Sequence, residues 1–242
     1  MREKYLHEVL PFLEKIDKER QKQFEDYFSS APLWLIELLK CEEVEAGKVF
    51  IRENESADTI YFVGEGRVKA TDYRVSGVAY DFMKPKNVIA LGGMEVILGF
   101  DHYKTTLQTE TRCTMVRLPR SKYEKWLCSD VEAFRKEAKI TCFSLLEEER
   151  RNRLFLFFQG EDRLALLLLE WYEKLNRTGT VCIKESRQSM ADETGLCLKS
   201  VSRSIKKMVE AGLISKRGNH VVMDAEQYQR LKVIIDEKSE KI

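Results

Sequence analysis

One stretch of the chain, residues 186–223, constrains the fold more than any other, because its pattern predicts two short helices and a hairpin. Ser186 is a suitable N-cap for the first helix, and Gly195 supplies the left-handed backbone that a tight turn requires. Apolar residues then recur at helical spacing over 198–211, and Gly212 is typical of the position just beyond a helix. Two helices, a tight turn and a hairpin together indicate a winged helix-turn-helix, a motif that reads DNA.

The polar face of the second predicted helix has the chemistry of a DNA contact surface. Residues 186–220 hold seven Lys/Arg against three Asp/Glu, a local net charge of +4 in a chain whose formal net charge is +1. Arg203 follows Lys199 by four residues, so both would point toward neighbouring base edges in a major groove. Short hydroxyls suit bases or phosphates, and lysines further along suit phosphates. The predicted DNA-contacting residues are Ser186, Gln188, Lys199, Ser200, Ser202, Arg203, Lys206, Lys207 and Arg217.

A basic helix face is also compatible with a domain that binds another protein. The second hypothesis is therefore a ligand-binding regulatory or interaction protein whose C-terminal domain contacts protein. The two hypotheses differ in salt dependence, because binding to DNA releases condensed counterions and weakens steeply as salt rises.

Composition favours a soluble binding protein over an enzyme or a membrane protein. At 242 residues, 43% hydrophobic and 33% charged, the chain is long enough for two domains with their own cores. No apolar run approaches the ~20 residues of a membrane span, so we expect a cytoplasmic protein with no membrane partner. Three dispersed histidines and the lack of Walker, Rossmann or nucleophile-elbow motifs predict no enzymatic activity and no cofactor.

Six scattered cysteines without a C-x-x-C pair argue against a disulfide framework and against a metal site built from neighbouring ligands. A third hypothesis, a thiol-based redox sensor, would use Cys113, Cys128 or Cys142 and needs an exposed thiol with a low pKa.

Along the chain, the period of the pattern changes twice. Residues 1–40 have helical spacing, whereas the next 80 residues form short alternating runs separated by turn signals. Runs this short and close favour a compact β-barrel or jelly roll over an α/β sheet. The predicted strands are 49–51, 60–63, 68–70, 78–80, 88–91, 105–109 and 113–118.

Residues 130–158 are predicted to form one long helix with an apolar seam near heptad spacing. The seam consists of Val131, Phe134, Ala138, Thr141 and Leu145 and suits the same helix of a second copy, although such a helix can also pack on its own domain. We therefore predict an α+β homodimer: helices and a β-roll over 1–128, a dimerisation helix and hinge over 129–159, and a winged helix-turn-helix domain over 160–242.

This layout resembles the Crp/Fnr family of bacterial transcriptional regulators over essentially the whole chain after residue 40. The residues that carry the resemblance are Gly47, the block IYFVGEGRV at 60–68, and Leu198 to Ile214, which contains the run KSVSR at 199–203. The resemblance implies a cyclic-nucleotide-binding-like roll, a homodimer, double-stranded DNA as partner and RNA polymerase as a further one. Ser202 and Arg203 match the family's base-contacting positions. Lys199 stands where members often carry Glu, so the target sequence is expected to differ.

The resemblance also implies an effector region, which here departs from the family pattern. Members that bind cyclic AMP have a Gly-Glu-Leu-like segment whose Glu holds the ribose, followed about ten residues later by an Arg for the phosphate. Gly93 stands in place of that Glu and Lys104 in place of that Arg, and strand alternation would send the side chain of Glu95 elsewhere. No cysteine precedes Cys41, which disfavours an iron-sulfur or haem sensor. We expect an unknown effector other than cyclic AMP, or none, at Gly92, Gly93, Met94, Glu95, Lys104 and Thr105.

Overall fold

The computed structural model describes residues 2–75, 78–83, 87–175 and 179–239. The chain divides into two compact units. The first contains the residues up to Asp72 together with Phe82–Glu147, and the second contains Tyr73–Asp81 and the residues from Glu148 onward.

The N-terminal residues are helical, as predicted. Asp17 caps the longest of these helices, since its side chain accepts a hydrogen bond from the backbone N–H of Arg20. Aromatic residues on the inner faces, including Phe24 and Phe28, are buried against the β-sheet that follows. The elements are α1 (Arg2–Val9), a 3-10 helix (Pro11–Glu14), α2 (Lys18–Tyr27) and α3 (Leu33–Ile36).

Two antiparallel sheets form the β-roll, and residues 73–81 of its strands are grouped with the second unit. One sheet has the strand order β1-β7-β3 and the other has the order β2-β6-β4-β5. Their strands are β1 (Lys40–Val44), β2 (Val49–Ile51), β3 (Thr59–Glu65), β4 (Val68–Val75), β5 (Val78–Met83), β6 (Leu107–Thr109) and β7 (Cys113–Pro119).

Strands β3 and β7 are buried on both faces because their side chains alternate between two cores. Phe62 and Val116 pack with the N-terminal helices, whereas Val63 and Met115 pack in a second core with residues of the other sheet. A period of two along a strand sends alternate side chains to opposite faces. The predicted β-roll is therefore confirmed, with the N-terminal helices covering its outer face.

One predicted strand, residues 88–91, is wrong. Only Leu91 makes a bridge, pairing with Tyr61, and the chain then turns at Gly92, whose φ of +97° is accessible chiefly to glycine. A short helix, α4 (Gly93–Leu98), follows directly. The strand alternation expected for Glu95 is therefore also wrong.

The long helix is present within one residue of its predicted bounds. Helix α5 (Arg120–Ser129) precedes it, and α6 runs over Val131–Phe157. Asp130 separates the two, and its side chain accepts hydrogen bonds from the backbone N–H groups of Glu132 and Ala133 at 3.1 Å. That cap satisfies backbone donors that the helix leaves unpaired at its start.

The second unit has the predicted helix-turn-helix and hairpin, together with one strand and one helix that the sequence pattern did not reveal. Its three-stranded sheet has the order β8-β10-β9. The hairpin of β9 and β10, residues 215–223, is called the wing below. The elements are α7 (Gly160–Leu175), β8 (Val181–Ile183), α8 (Arg187–Thr194), α9 (Leu198–Glu210), β9 (Ser215–Arg217), β10 (His220–Met223) and α10 (Ala225–Ser239). Among the described helices, none is both long and apolar enough to cross a membrane.

Candidate DNA interface and effector region

Local signals place α8 and α9 as the sequence predicts. The Ser186 hydroxyl accepts a hydrogen bond from the backbone N–H of Ser189 at 3.0 Å and so caps α8. Gly195 ends that helix with a φ of +65°, and Gly212 follows α9 with a φ of +67°. Each of these positions uses backbone that residues with a Cβ adopt reluctantly.

Helix α9 has one buried and one exposed face. Val201, Ile205 and Met208 are at most 2% exposed and anchor it in the core of the second unit. Because successive residues of a helix are rotated by about 100°, a second group of side chains lies on the side of α9 opposite these three. This outer stripe consists of Lys199, Ser202, Arg203 and Lys206, all exposed.

Two other predicted contact residues lie on the flank of α9. Ser200 is half-buried, and its hydroxyl lies 3.3 Å from the sulfur of Cys197. The Lys207 ammonium lies 3.2 Å from the carboxylate of Glu161 at the start of α7. The structure therefore assembles four of the six predicted α9 residues into one stripe and directs Lys207 toward an acidic neighbour.

The wing adds further positive charge. All three residues of β9 are exposed, including Lys216 and Arg217, and Gly218 makes the turn with a φ of +63°. His220, the first residue of β10, pairs with Arg217 across the hairpin. Of these residues the sequence prediction includes Arg217 alone; the run Lys216-Arg217-Gly218-Asn219-His220 is the sequence signal for the others.

Two residues named at the start of α8 have local partners. The Gln188 side-chain amide donates to Asp192 at 2.7 Å, and the Ser186 oxygen accepts from Ser189. Gln188 is exposed, so its side chain remains accessible from solvent.

The predicted effector region is held together by its own polar groups. Glu95 is only 4% exposed, and its carboxylate accepts a hydrogen bond from the backbone N–H of Lys104 at 3.0 Å. Tyr103 donates its hydroxyl to the carbonyl of Thr59 at 2.5 Å, and burial raises the pKa of Tyr103 to about 12, so the group remains a donor at neutral pH. Glu95 and Lys104 are thus in contact, but the contact is between the Glu95 carboxylate and the backbone N–H of Lys104 and does not involve the Lys104 ammonium.

The charged side chain of Lys104 also has a close contact in this region. The Lys104 ammonium lies 4.6 Å from the ring centroid of Phe100, a cation–π distance. Met94 and Thr105 are half-buried. Two clefts, of about 750 and 560 Å³, lie beside α2 and beside the turn at residues 65–67, so neither is lined by the predicted effector residues.

The part of α6 that belongs to the first unit uses one face for the core of that unit and another for the predicted dimer seam. Ala133 and Glu137 are buried, whereas Val131, Phe134 and Leu145 are 77%, 43% and 54% exposed. The other seam residues, Ala138 and Thr141, are half-buried. At about 100° per residue the seam lies roughly 110° around the helix from the buried face. An apolar stripe of this kind on the described surface is available for another helix.

All six cysteines are free thiols. Burial raises the pKa of Cys113, which makes it a poor redox sensor, and Cys128 and Cys142 are exposed. A cysteine outside the predicted set has the opposite character: a hydrogen bond with Ser200 lowers the pKa of exposed Cys197 at the start of α9. Its spacing from Ser200, three residues across a helix start, was the sequence signal.

Comparison with known families agrees with this two-part architecture. The family model for the cyclic nucleotide-binding domain matches residues 41–130, and the model for the Crp-like helix-turn-helix domain matches residues 162–231. The protein is thus of the class of regulators that join a cyclic-nucleotide-binding-type roll to a helix-turn-helix domain. The chain belongs to the Crp/Fnr family of transcriptional regulators.

Solved structures of this family share the fold at low sequence identity. FixK2 from Bradyrhizobium japonicum is 21% identical with a TM-score of 0.66, over 80% of this chain and 96% of that one. The c-di-GMP-responsive regulator CLP from Xanthomonas campestris is 18% identical with a TM-score of 0.69, over 86% and 99%. A CooA mutant from Carboxydothermus hydrogenoformans is 13% identical with a TM-score of 0.68, over 88% and 95%. No curated protein sequence matches the chain.

Proposed function

We propose that this protein is a homodimeric, sequence-specific DNA-binding regulator that acts in the cytoplasm by binding and not by catalysis. The observation that carries the proposal is the outer stripe of α9, where Lys199, Ser202, Arg203 and Lys206 stand opposite an anchored apolar face. A helix so anchored presents base-reading and phosphate-binding groups together. The exposed cations Lys216 and Arg217 of the wing extend the same chemistry to flanking phosphates.

The dimer is proposed from the exposed seam of α6. A two-fold dimer would place two α9 helices on half-sites about one turn, ~34 Å, apart. The target is then an inverted repeat. RNA polymerase is a further proposed partner, because a family member that activates transcription must act on it.

For the roll, we propose that cyclic AMP is not the effector. Gly93 has no carboxylate for a ribose, the Glu95 carboxylate is engaged with Lys104 N–H, and the Lys104 ammonium lies over Phe100. A ligand at this place would have to displace these contacts. The roll therefore serves another small molecule, or it acts as a structural support for α6.

The central experiment measures affinity for a fluorescent random duplex and for a duplex enriched by selection, as salt rises from about 50 to 200 mM. Binding to DNA predicts a steep loss with salt and a clear preference for the selected duplex. The variant with Arg203→Ala and Lys206→Ala should lose affinity. Lys18→Ala with Lys22→Ala removes the same charge from α2 and serves as the matched control. Affinity that is insensitive to salt, or equally affected by both double variants, would favour the protein-binding alternative.

A further inference from the structure

Helix α10 is fixed to α7 by apolar and polar contacts. Leu231 and Ile235 are buried in the core of the second unit. The ring of Tyr228 stacks on that of Tyr172 with centroids 4.5 Å apart. Near the other end of α10, the Lys238 ammonium pairs with the carboxylate of Asp162. Because these contacts are spread along its length, α10 is held in a fixed position on α7 and can hold other segments that bind to it.

Gln227, in the first turn of α10, connects this support to the base of the wing. Its side-chain oxygen accepts from the backbone N–H of Asp224 at 3.1 Å, while its own backbone N–H donates to the Asp224 carboxylate at 2.8 Å. This reciprocal pair is a capping box. The side-chain amide then donates to the hydroxyl of Ser215 at 2.9 Å. Gln227 is 7% exposed, so these bonds are shielded from water.

The same helix contacts the end of α9. The guanidinium of Arg230 donates a hydrogen bond at 3.1 Å to the carbonyl of Gly212. Gly212 is the residue with positive φ that follows α9. Arg230 follows Gln227 by three positions, so both point toward the segment between α9 and β9. One helix thus holds the end of the recognition helix and the base of the wing.

Strand β9 contributes no buried side chain, so the bond from Gln227 is one of the contacts that fix its position. Every residue of β9 is exposed, and the strand is at the edge of its sheet, paired only with β10. Its other supports are the pairing with β10, whose Val221 and Met223 are buried, and the buried Ile214 directly before it. Ser215 is the first residue of β9, and the cations Lys216 and Arg217 follow it directly.

We propose that Gln227 is a positioning residue for DNA recognition, which holds the base of the wing so that Lys216 and Arg217 stand at a set place relative to α9. The inference rests on the proposed DNA-binding function. Gln227 does not touch the nucleic acid. It acts through Ser215. Replacing Gln227 leaves every residue of the wing unchanged but removes a bond that fixes the position of β9.

The test compares Gln227→Met with Gln229→Met, the same change at an exposed position of the same helix. Gln227→Met keeps side-chain length and loses both side-chain hydrogen bonds, while the backbone N–H of residue 227 can still donate to Asp224. Affinity for a random duplex is measured in the unmodified chain and in a chain carrying Lys216→Ala and Arg217→Ala. Gln227→Met should weaken binding roughly fivefold and lower the salt slope by about one in the unmodified chain. It should have little further effect once the wing cations are gone. Equal losses in both backgrounds would overturn the proposal.

A readout without DNA separates this proposal from the DNA-binding function itself. Amide hydrogen exchange should accelerate in the wing of Gln227→Met, and less so in the subtler Ser215→Ala, while exchange in α9 and in Gln229→Met stays as in the unmodified protein. Ser215→Ala also covers the case in which Gln227→Met fails to fold. Unchanged wing exchange in both variants would overturn the positioning role even if DNA binds. Accelerated exchange in a protein that ignores DNA would instead remove the proposed function.

Discussion

The carboxyl group of Glu137 on α6 lies directly against Gly93 at the start of α4. A Cβ built on Gly93 would be 2.5 Å from Glu137 Oε1 and 2.8 Å from the Cβ of Ala90. The position where the family resemblance places a ribose-binding carboxylate therefore has no room for any side chain. Another carboxylate, from the long helix, lies beside it.

Glu137 is held by tyrosines from two other helices. The Tyr27 hydroxyl of α2 donates to Glu137 Oε2 at 2.5 Å and lies 2.7 Å from the hydroxyl of Tyr123 on α5. Burial and the neighbouring acid raise the pKa values of both tyrosines well above their usual range, so both remain hydrogen-bond donors. Helices α2, α4, α5 and α6 thus meet at one buried carboxyl group.

We expect Gly93→Ala to destabilise the first unit by about 1–3 kcal/mol, because the added methyl overpacks a filled site. Denaturant unfolding monitored by tryptophan fluorescence measures the loss. In a Glu137→Ala background one of the two close contacts is gone, so the cost of Gly93→Ala should be smaller there. An equal cost in both backgrounds would show that Glu137 is not the obstacle.

The stability of the first unit should fall with rising pH through Glu137. Burial raises the pKa of this carboxyl group, so the native state keeps a proton that the unfolded chain loses from about pH 4.3 upward. Between that pH and the raised native pKa, the free energy of unfolding declines by up to about 1.4 kcal/mol per pH unit. Glu137→Gln cannot ionise and should remove this part of the slope. Parallel urea-unfolding profiles for the two proteins across pH 4.5–8 would contradict the prediction.

The dimer should dissociate in Phe134→Glu and in Leu145→Glu, because each would bury an unpaired carboxylate in the α6 seam. Phe143→Glu is the matched control: Phe143 is 57% exposed on the same helix, but roughly 160° around from Leu145. Light scattering at micromolar concentration should show monomers for the first two variants and dimers for the third. A monomeric unmodified protein would remove the prediction.

Base reading and phosphate binding should separate along the outer stripe of α9. Arg203→Ala is expected to lose roughly 1–3 kcal/mol on the selected duplex with little loss on random DNA. Lys206→Ala should weaken both complexes alike. Lys207→Ala should have a smaller effect than Lys206→Ala, since the Lys207 ammonium lies 3.2 Å from Glu161 on the flank of α9, whereas that of Lys206 lies 3.7 Å from Glu210 of the same helix. Titration of both duplexes measures these differences, and equal losses on both for Arg203→Ala would mean that Arg203 only positions the protein.

Cyclic AMP should bind the isolated protein at least one to two orders of magnitude more weakly than a receptor with a ribose carboxylate. A lost charge-assisted hydrogen bond is worth about 1.5–3 kcal/mol. Isothermal titration calorimetry gives the affinity directly. Micromolar binding would contradict the prediction and would require Glu95 or Lys104 to leave its present partner.

Local signals were sufficient for the helix-turn-helix. Each of its signals involves residues within four positions of one another: the cap at Ser186, the turn at Gly195, the end of α9 at Gly212 and the helical stripe of α9. The local order of residues is therefore enough to determine this geometry. The same holds for α6, whose apolar seam keeps helical spacing from Val131 to Leu145, about four turns. The class of fold and the exposed polar face of α9 could therefore be predicted from the sequence alone.

The contacts that give these elements their roles were decided only by tertiary structure. Gly93 was interpreted as a missing ligand residue in a strand, yet it begins a helix and faces Glu137, 44 positions away. Lys207 was grouped with phosphate contacts, yet its flank of α9 faces Glu161. Helix α10 and the link from Gln227 to Ser215 were not predicted at all. Periodicity reports which face of an element is apolar, but burial, close approach and hydrogen-bond partners depend on which distant segment packs against that face, and no local pattern contains that information.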